Sequence, residues 1–223
     1  MIDLLHQTDD LWLINKPANL SLLRDRSTDE HLWGHIKQEL GKAYLVHRLD
    51  KGTSGSLLVA RNQSTQRQLT QAFAQRHVRK FYLAWVVGKF PQSHTYSIDL
   101  PLCKGRKSRY RVAGNRQDIV ANGRQYQVRQ SRDGVAALTR ARCMARQGQH
   151  SLLLLQPKQG RTHQLRVHLS WIGFPIVGDH LYGAPEDPQQ RHWRLLLHCH
   201  RLILLNQRYD APVPEDFSPD RKA

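Results

Sequence analysis

Most apolar residues of this chain fall into short runs bounded by turn formers, and only three windows space them at helical intervals. DLWLIN at 10–15 reads as a strand stopped by Lys16-Pro17, because proline has no N–H to extend a ladder. Ser27 and Glu30 have the spacing of a capping box. Leu32, Ile36 and Leu40 then recur every fourth residue, and Gly41 closes a helix. YLVHRLD at 44–50 and GSLLVA at 55–60 predict two strands around a polar loop. Leu69, Phe73 and Arg76 mark a helix between Ser64 and Arg76, and KFYLAWVVG at 80–88 predicts a strand ended by Gly88. AALTRARCMA and HSLLLLQP are expected as neighbouring strands. Thr162 is placed to cap a helix carrying Leu165, Leu169 and Ile172, with Gly173 beyond. RLLLHCHRLILL at 194–205 is the last long strand before a proline-containing tail at 211–223.

Strands outnumber helices and come in runs rather than in strict βαβ alternation. That order predicts an α+β fold: a central mixed, mainly antiparallel sheet flanked by helices and loops. The 223 residues suffice for one substantial core, and no repeat or linker divides them, so residues 1–223 are expected to form a single domain.

Charge narrows the partner. The chain has 34 Lys and Arg against 18 Asp and Glu, a formal net charge of +16. Phosphate backbones attract such a surface through counterion release, so nucleic acid is the expected partner. No long apolar run or basic amphipathic anchor suggests a membrane. The N-terminus lacks a signal pattern, and the three cysteines form no CxxC pair, which suits reduced thiols in the cytoplasm. Six Lys or Arg fall between Lys104 and Arg116, so 103–124 reads as a basic arm or hairpin. Such a run is equally consistent with a solvated face. Tyr110 within it tilts the reading toward RNA, since interleaved aromatics stack bases.

In LVHRLDKGTSGSLLVA at 45–60, a lone carboxylate, Asp50, follows His47 and Arg48 in a loop where Gly52 and Gly55 permit close backbone approach. Spacing alone leaves Asp50 either a reactive group or a turn carboxylate accepting backbone N–H bonds. His163 and His168 stand five apart, which matches neither helical zinc spacing nor one strand face. His198 and His200 share a strand face without a third ligand nearby. No metal site is expected.

The string HRLDKGTSG resembles the HRLDxxTSG active-site motif of RluA-type pseudouridine synthases at every fixed position. DDLWLINKP, RKFYLAWVVG, GRTHQLRVHL followed by PIVGDHLYG, and LLLHCHRL resemble further family segments in the same order, across about residues 9 to 205. The resemblance implies isomerisation of uridine in structured RNA (rRNA or tRNA) to pseudouridine: base flipping, aspartate-assisted cleavage of the glycosidic bond, base rotation and C5–C1′ bond formation. It implies Asp50 as the catalytic carboxylate, Tyr82 packed on the base, and Arg161 paired with Asp50. Arg48 would reach into the RNA. His47, Thr53, Lys80, Arg166, Lys104, Arg106, Lys107 and Arg109 are further candidate RNA contacts. No cofactor is implied, and a monomer is expected.

The residue types suit that chemistry. A carboxylate beside the sugar carbon serves as nucleophile or ion stabiliser. A hydrolase wants a second carboxylate as acid or water activator, and the matched segments offer no obvious partner for Asp50; an isomerase needs none. Read alone, Tyr82 also fits a sheet aromatic, Arg161 a surface arginine, and Lys80 and Arg166 stems packed beside a cleft. Two features depart from the family's pattern. Ala18-Asn19 stands where the family often has glycine after Lys-Pro, and with about nine residues before the first predicted strand no N-terminal S4 domain is expected. The competing expectations are a non-catalytic RNA-binding or chaperone module on the same scaffold and a metal-dependent nuclease.

Overall fold

The computed structural model describes residues 1–25, 28–106, 109–130, 133–183 and 192–219. In chain order its elements are β1 (Leu4–Gln7), β2 (Leu11–Lys16), α1 (Leu32–Leu40), β3 (Tyr44–Leu45), β4 (Ser54–Ala60), α2 (Gln63–Ala74), β5 (Arg79–Val87) and β6 (Thr95–Asp99). There follow β7 (Leu102–Lys104), β8 (Tyr110–Val112), a 3-10 turn (Arg116–Asp118), β9 (Ile119–Asn122), β10 (Gln125–Val128), β11 (Leu138–Gln147) and β12 (His150–Pro157). Last come α3 (Gln164–Trp171), β13 (Leu197–Leu204) and β14 (Gln207–Asp210). They form two compact units: Met1–Lys80 with Leu197–Pro214, and Phe81–Leu196 with the chain from Glu215 onward. The α+β class with mixed, mainly antiparallel strands is the architecture found.

In the first unit β2 pairs antiparallel with β1 and β4, while β4 runs parallel to β13. β13 pairs antiparallel with β14, and the short β3 pairs antiparallel with β4. One apolar cluster, Trp12, Ile14, Leu22, Leu32, Ile36, Leu57 and Val59, joins α1 to β2 and β4. α1 starts later than the expected capping box. Ser27 lies outside the described residues, and the N-cap is His31, whose side chain makes no cap bond. None is needed, because Ser21 and Leu22 carbonyls accept the Leu32 and Trp33 N–H groups at 2.9 and 3.0 Å. α2 does carry a side-chain cap: the Asn62 side chain accepts the Thr65 N–H at 2.8 Å.

β3 is shorter than YLVHRLD predicts. The next rung is diverted, since the Leu58 N–H donates to His47 Nε2 at 2.9 Å, so residues 46–53 form a loop. The turn after Lys16-Pro17 is made by Asn19 at φ 61, a left-handed conformation that asparagine tolerates and that glycine supplies elsewhere. Gly55 has φ 112, and a Cβ there would collide with the Cys199 backbone, so only glycine lets β4 approach β13 this closely.

In the second unit β12 pairs antiparallel with β5 and β11, β11 antiparallel with β6, and β10 parallel with β6 and antiparallel with β9. β7 and β8 make a separate antiparallel hairpin. α3 covers the face of β11 that carries Thr139. His168 bonds Thr139 Oγ1 at 3.0 Å and the Leu100 carbonyl at 2.9 Å, and Gln164 Nε2 donates to Thr139 Oγ1 at 3.1 Å. The expected cap at Thr162 is not the one found. His163 is the N-cap, at φ 56 and ψ 18.

Candidate active site

Asp50 opens a tight turn in the first unit. Its carbonyl accepts the Thr53 N–H at 3.0 Å, and its side chain is half-buried. Lys16 lies within hydrogen-bond reach of this turn with none of its surface exposed. Its Nζ donates to the carbonyls of Pro17 (2.8 Å), Lys51 (3.1 Å) and Thr53 (2.9 Å). Three ammonium protons thus meet three backbone acceptors, which is what a buried cation requires. Lys51 is further tied to Asp25, with Nζ 3.4 Å from Oδ2, and Ser21 Oγ donates to the same carboxylate. The Lys-Pro turn and the Asp50 turn are therefore one hydrogen-bonded piece.

The neighbours of Asp50 divide by direction. Arg48 is exposed. His47 turns inward, with its ring stacked on Phe73 at 4.5 Å and its Nε2 bonded to Leu58. Burial, reinforced by the Lys80 charge, pushes its pKa down to about 3, so the ring is neutral. Thr53 and Ser54 are each 2% exposed, and Ser54 Oγ bonds His198 Nδ1 at 2.9 Å. Lys80 is half-buried at the start of β5, and burial lowers its pKa against an opposing effect of Cys199.

In the second unit Tyr82 on β5 is 9% exposed and stands opposite Leu155, which in turn faces Ala141. That register puts Tyr82 on the Thr139 face of the strands, the one α3 covers. Arg161 precedes α3 and is exposed. Its backbone N–H donates to Gln164 Oε1 at 3.2 Å, and its Nε donates to the Ala136 carbonyl at 3.3 Å. Arg166 is mostly buried. It forks onto Asp179, with Nε–Oδ2 2.9 Å and Nη2–Oδ1 2.7 Å, and lies 5.1 Å over the Tyr182 ring. Lys104, Arg106 and Arg109 are exposed on and beside the β7–β8 hairpin; Lys107 lies outside the described residues. The Tyr110 ring stands edge-on to His163 at 6.1 Å.

Three residues that organise these segments, Lys16, Gln164 and Tyr182, lie within the quoted motifs, yet their local sequence assigns none of them a role. Lys16 was visible only as half of a Lys-Pro turn. A lysine's charge argues for the surface, and nothing local announces that three carbonyls will converge on it. Among the described residues no group of three or more His, Cys, Asp or Glu side chains is arranged to hold a metal ion. No helix among them is long and apolar enough to cross a membrane.

The class the fold defines is a mixed-sheet α+β protein, in which one carboxylate, Asp50, sits on a turn stapled by the buried Lys16, with Arg48 exposed two residues before it. Comparison with known proteins gives the family. Residues 10–171 match the family model described as RNA pseudouridylate synthase. An RNA pseudouridine synthase of Zymomonas mobilis is 38% identical, covering 94% of this chain and 92% of its own. The dual-specificity RNA pseudouridine synthase RluA of Escherichia coli is 32% identical over 96% and 93%. The structure of human RNA pseudouridylate synthase domain containing 1 superposes with a TM-score of 0.79 at 25% identity, covering 98% of this chain and 85% of that one. The chain belongs to the RNA pseudouridylate synthase family, whose reaction is the isomerisation of uridine in RNA to pseudouridine.

Proposed function

We propose that Asp50 is the carboxylate that opens the uridine glycosidic bond, with Tyr82 stacked on the flipped base and Arg161 paired with Asp50. The observation that carries this reading is the turn at Asp50, whose flanking carbonyls are held by the fully buried Lys16. A reactive group must be kept within a fraction of an ångström of its target, and a stapled turn does that. The roles of Tyr82 and Arg161 rest on the resemblance of their motifs. Arg161 fits the role in one further respect: its guanidinium is anchored through Nε to Ala136 while the side chain stays exposed. Such a pairing would favour the ionised aspartate.

Extruding a base costs a few kcal/mol. Stacking on Tyr82 returns about 1–3 kcal/mol, and insertion of the exposed Arg48 contributes the rest. The N1–C1′ bond breaks, the detached uracil turns within the site and C5 bonds C1′; the proton released from C5 is matched by one taken up at N1, so the product is an isomer and no co-reactant is consumed. Lys104, Arg106 and Arg109 hold phosphates. His47 and Thr53, by contrast, act on the loop rather than on RNA, because one bonds Leu58 and the other is buried. Arg166 is likewise assigned to holding Asp179. The substrate is structured RNA, ribosomal or transfer; one relative, of Borreliella burgdorferi, is a ribosomal large subunit pseudouridine synthase D, 34% identical over 90% of this chain and 60% of its own. The chain is proposed to act in the cytoplasm as a monomer, as one catalytic domain without a cofactor.

The test is transcriptome-wide pseudouridine mapping with and without the gene, complemented by wild type or by Asp50→Asn. Sites that vanish with the gene and return only with wild type support the reading. Their return with Asp50→Asn would overturn the role of Asp50.

A further inference from the structure

Tyr182 sits where three segments of the second unit meet. Its hydroxyl accepts the backbone N–H of Tyr110, on the basic hairpin, at 2.9 Å, and bonds His163 Nδ1 at 2.8 Å. His163 is the left-handed residue between Arg161 and α3. The three rings continue the contact: Tyr110 meets His163 edge-on at 6.1 Å, and His163 meets Tyr182 at 5.5 Å and 72°. The ring of Tyr182 is clamped independently of its hydroxyl. Arg166 lies over its face, and Asp179, gripped by Arg166, accepts the Leu181 and Tyr182 N–H groups at 3.0 and 3.1 Å. A hydroxyl has one proton to give. With Tyr110 donating to the oxygen, that proton can go to His163, so one atom joins the hairpin backbone to the turn that presents Arg161.

We propose that Tyr182 is a positioning residue that couples RNA contact on the β7–β8 hairpin to the placement of Arg161. The inference rests on Arg161 and the hairpin acting as proposed above. When phosphates draw Lys104 and Arg109 into place, the Tyr110 backbone moves with the strand that carries it. The shared hydroxyl passes that constraint to His163, and through the 161–164 turn to Arg161, whose carbonyl accepts the Gln164 N–H at 3.1 Å. RNA that fails to engage the hairpin leaves the arginine turn less well ordered. Substrate selection is thereby expressed in the rate of chemistry as well as in affinity.

Four forms of the full chain test this: wild type, Tyr182→Phe, a hairpin variant carrying Lys104→Ala and Arg109→Ala, and their combination. The probes are unmodified transcripts of large-subunit ribosomal RNA and a transcribed pool of transfer RNAs. Tyr182→Phe keeps the ring under Arg166 and removes only the hydroxyl. It is expected to lower the single-turnover rate about tenfold, the size of one lost hydrogen-bond constraint, while the half-saturating RNA concentration changes less than about twofold. In the hairpin variant both quantities worsen; in the combined variant the rate falls no further than in Tyr182→Phe alone. A rate unchanged by Tyr182→Phe, or two rate effects that multiply in the combined variant, would overturn the proposal. Wild type inactive on both probes would instead strike at the proposed function. The coupling is then read without turnover, from Tyr110 amide exchange and the His163 ring nitrogen signals. Joint change in Tyr182→Phe supports it, and no change in either overturns it.

Discussion

The turn that carries Asp50 and the hairpin that carries Lys104, Arg106 and Arg109 are both short and polar in sequence, yet the molecule holds them in opposite ways. Around Asp50, nearly every group has an internal task. Lys16 grips two of the loop's carbonyls, His47 bonds Leu58, Thr53 and Ser54 are buried, and Lys51 reaches Asp25. On the hairpin Lys104, Arg106 and Arg109 stay in solvent, while the buried Leu102 and Val112, backbone bonds and the Tyr182 hydroxyl tie it to the rest of its unit. Chemistry on a sugar carbon tolerates little positional error, whereas phosphate attraction is long-ranged and forgiving. Burial has followed that division.

The largest effect on this contrast should come from Lys16→Met, which leaves the Pro17, Lys51 and Thr53 carbonyls without their donor. Urea unfolding should report a loss of about 3 kcal/mol, and a loss under about 1 kcal/mol would mean the loop is not stapled as described. Tyr82→Phe comes next. It keeps the stacking surface, so RNA affinity should stay within about twofold while turnover slows about tenfold. Unchanged single-turnover kinetics would limit Tyr82 to stacking.

Acidity probes the buried side of the contrast. His47 and His168 are held neutral, with pKa values pushed by burial to about 3 and about 4. The unfolded chain therefore binds protons more readily, and stability should fall as pH drops from about 6.5 toward 4, with no contribution from these groups above that range. Replacing His168 with Asn should flatten the profile of unfolding midpoint against pH; an unaltered slope would assign the effect elsewhere. Smallest of all, Arg109→Ala should weaken RNA binding a few-fold without changing the fold, and reduce the salt slope by about one. An unchanged slope would remove Arg109 from the phosphate contacts.

Legibility followed the same division. Helices α1 and α2, strands β2, β5 and β12, and the pairing of β11 with β12 were readable because apolar period and turn residues agreed. HRLDKGTSG marked its loop because several fixed residues fall together in a short span. What escaped was satisfied through space. α1 begins at Leu32 because the Ser21 and Leu22 carbonyls stand in for a cap, and β3 stops at Leu45 because a histidine replaces a strand partner. The β13–β14 hairpin turns at Leu205 and Asn206, with φ 48 and 63, and leucine is not a residue that announces such a turn. The inward roles of His47, Thr53 and Arg166 were hidden for the same reason: each depends on a partner outside its own motif.

Asp50→Asn tests the central claim most directly, because it removes a charge while leaving the size of the side chain and the Lys16 staple in place. The purified variant, incubated with RNA from cells lacking the gene, should form no pseudouridine while its circular dichroism and RNA affinity match wild type. Pseudouridine at the wild-type positions and at a comparable rate would contradict the account.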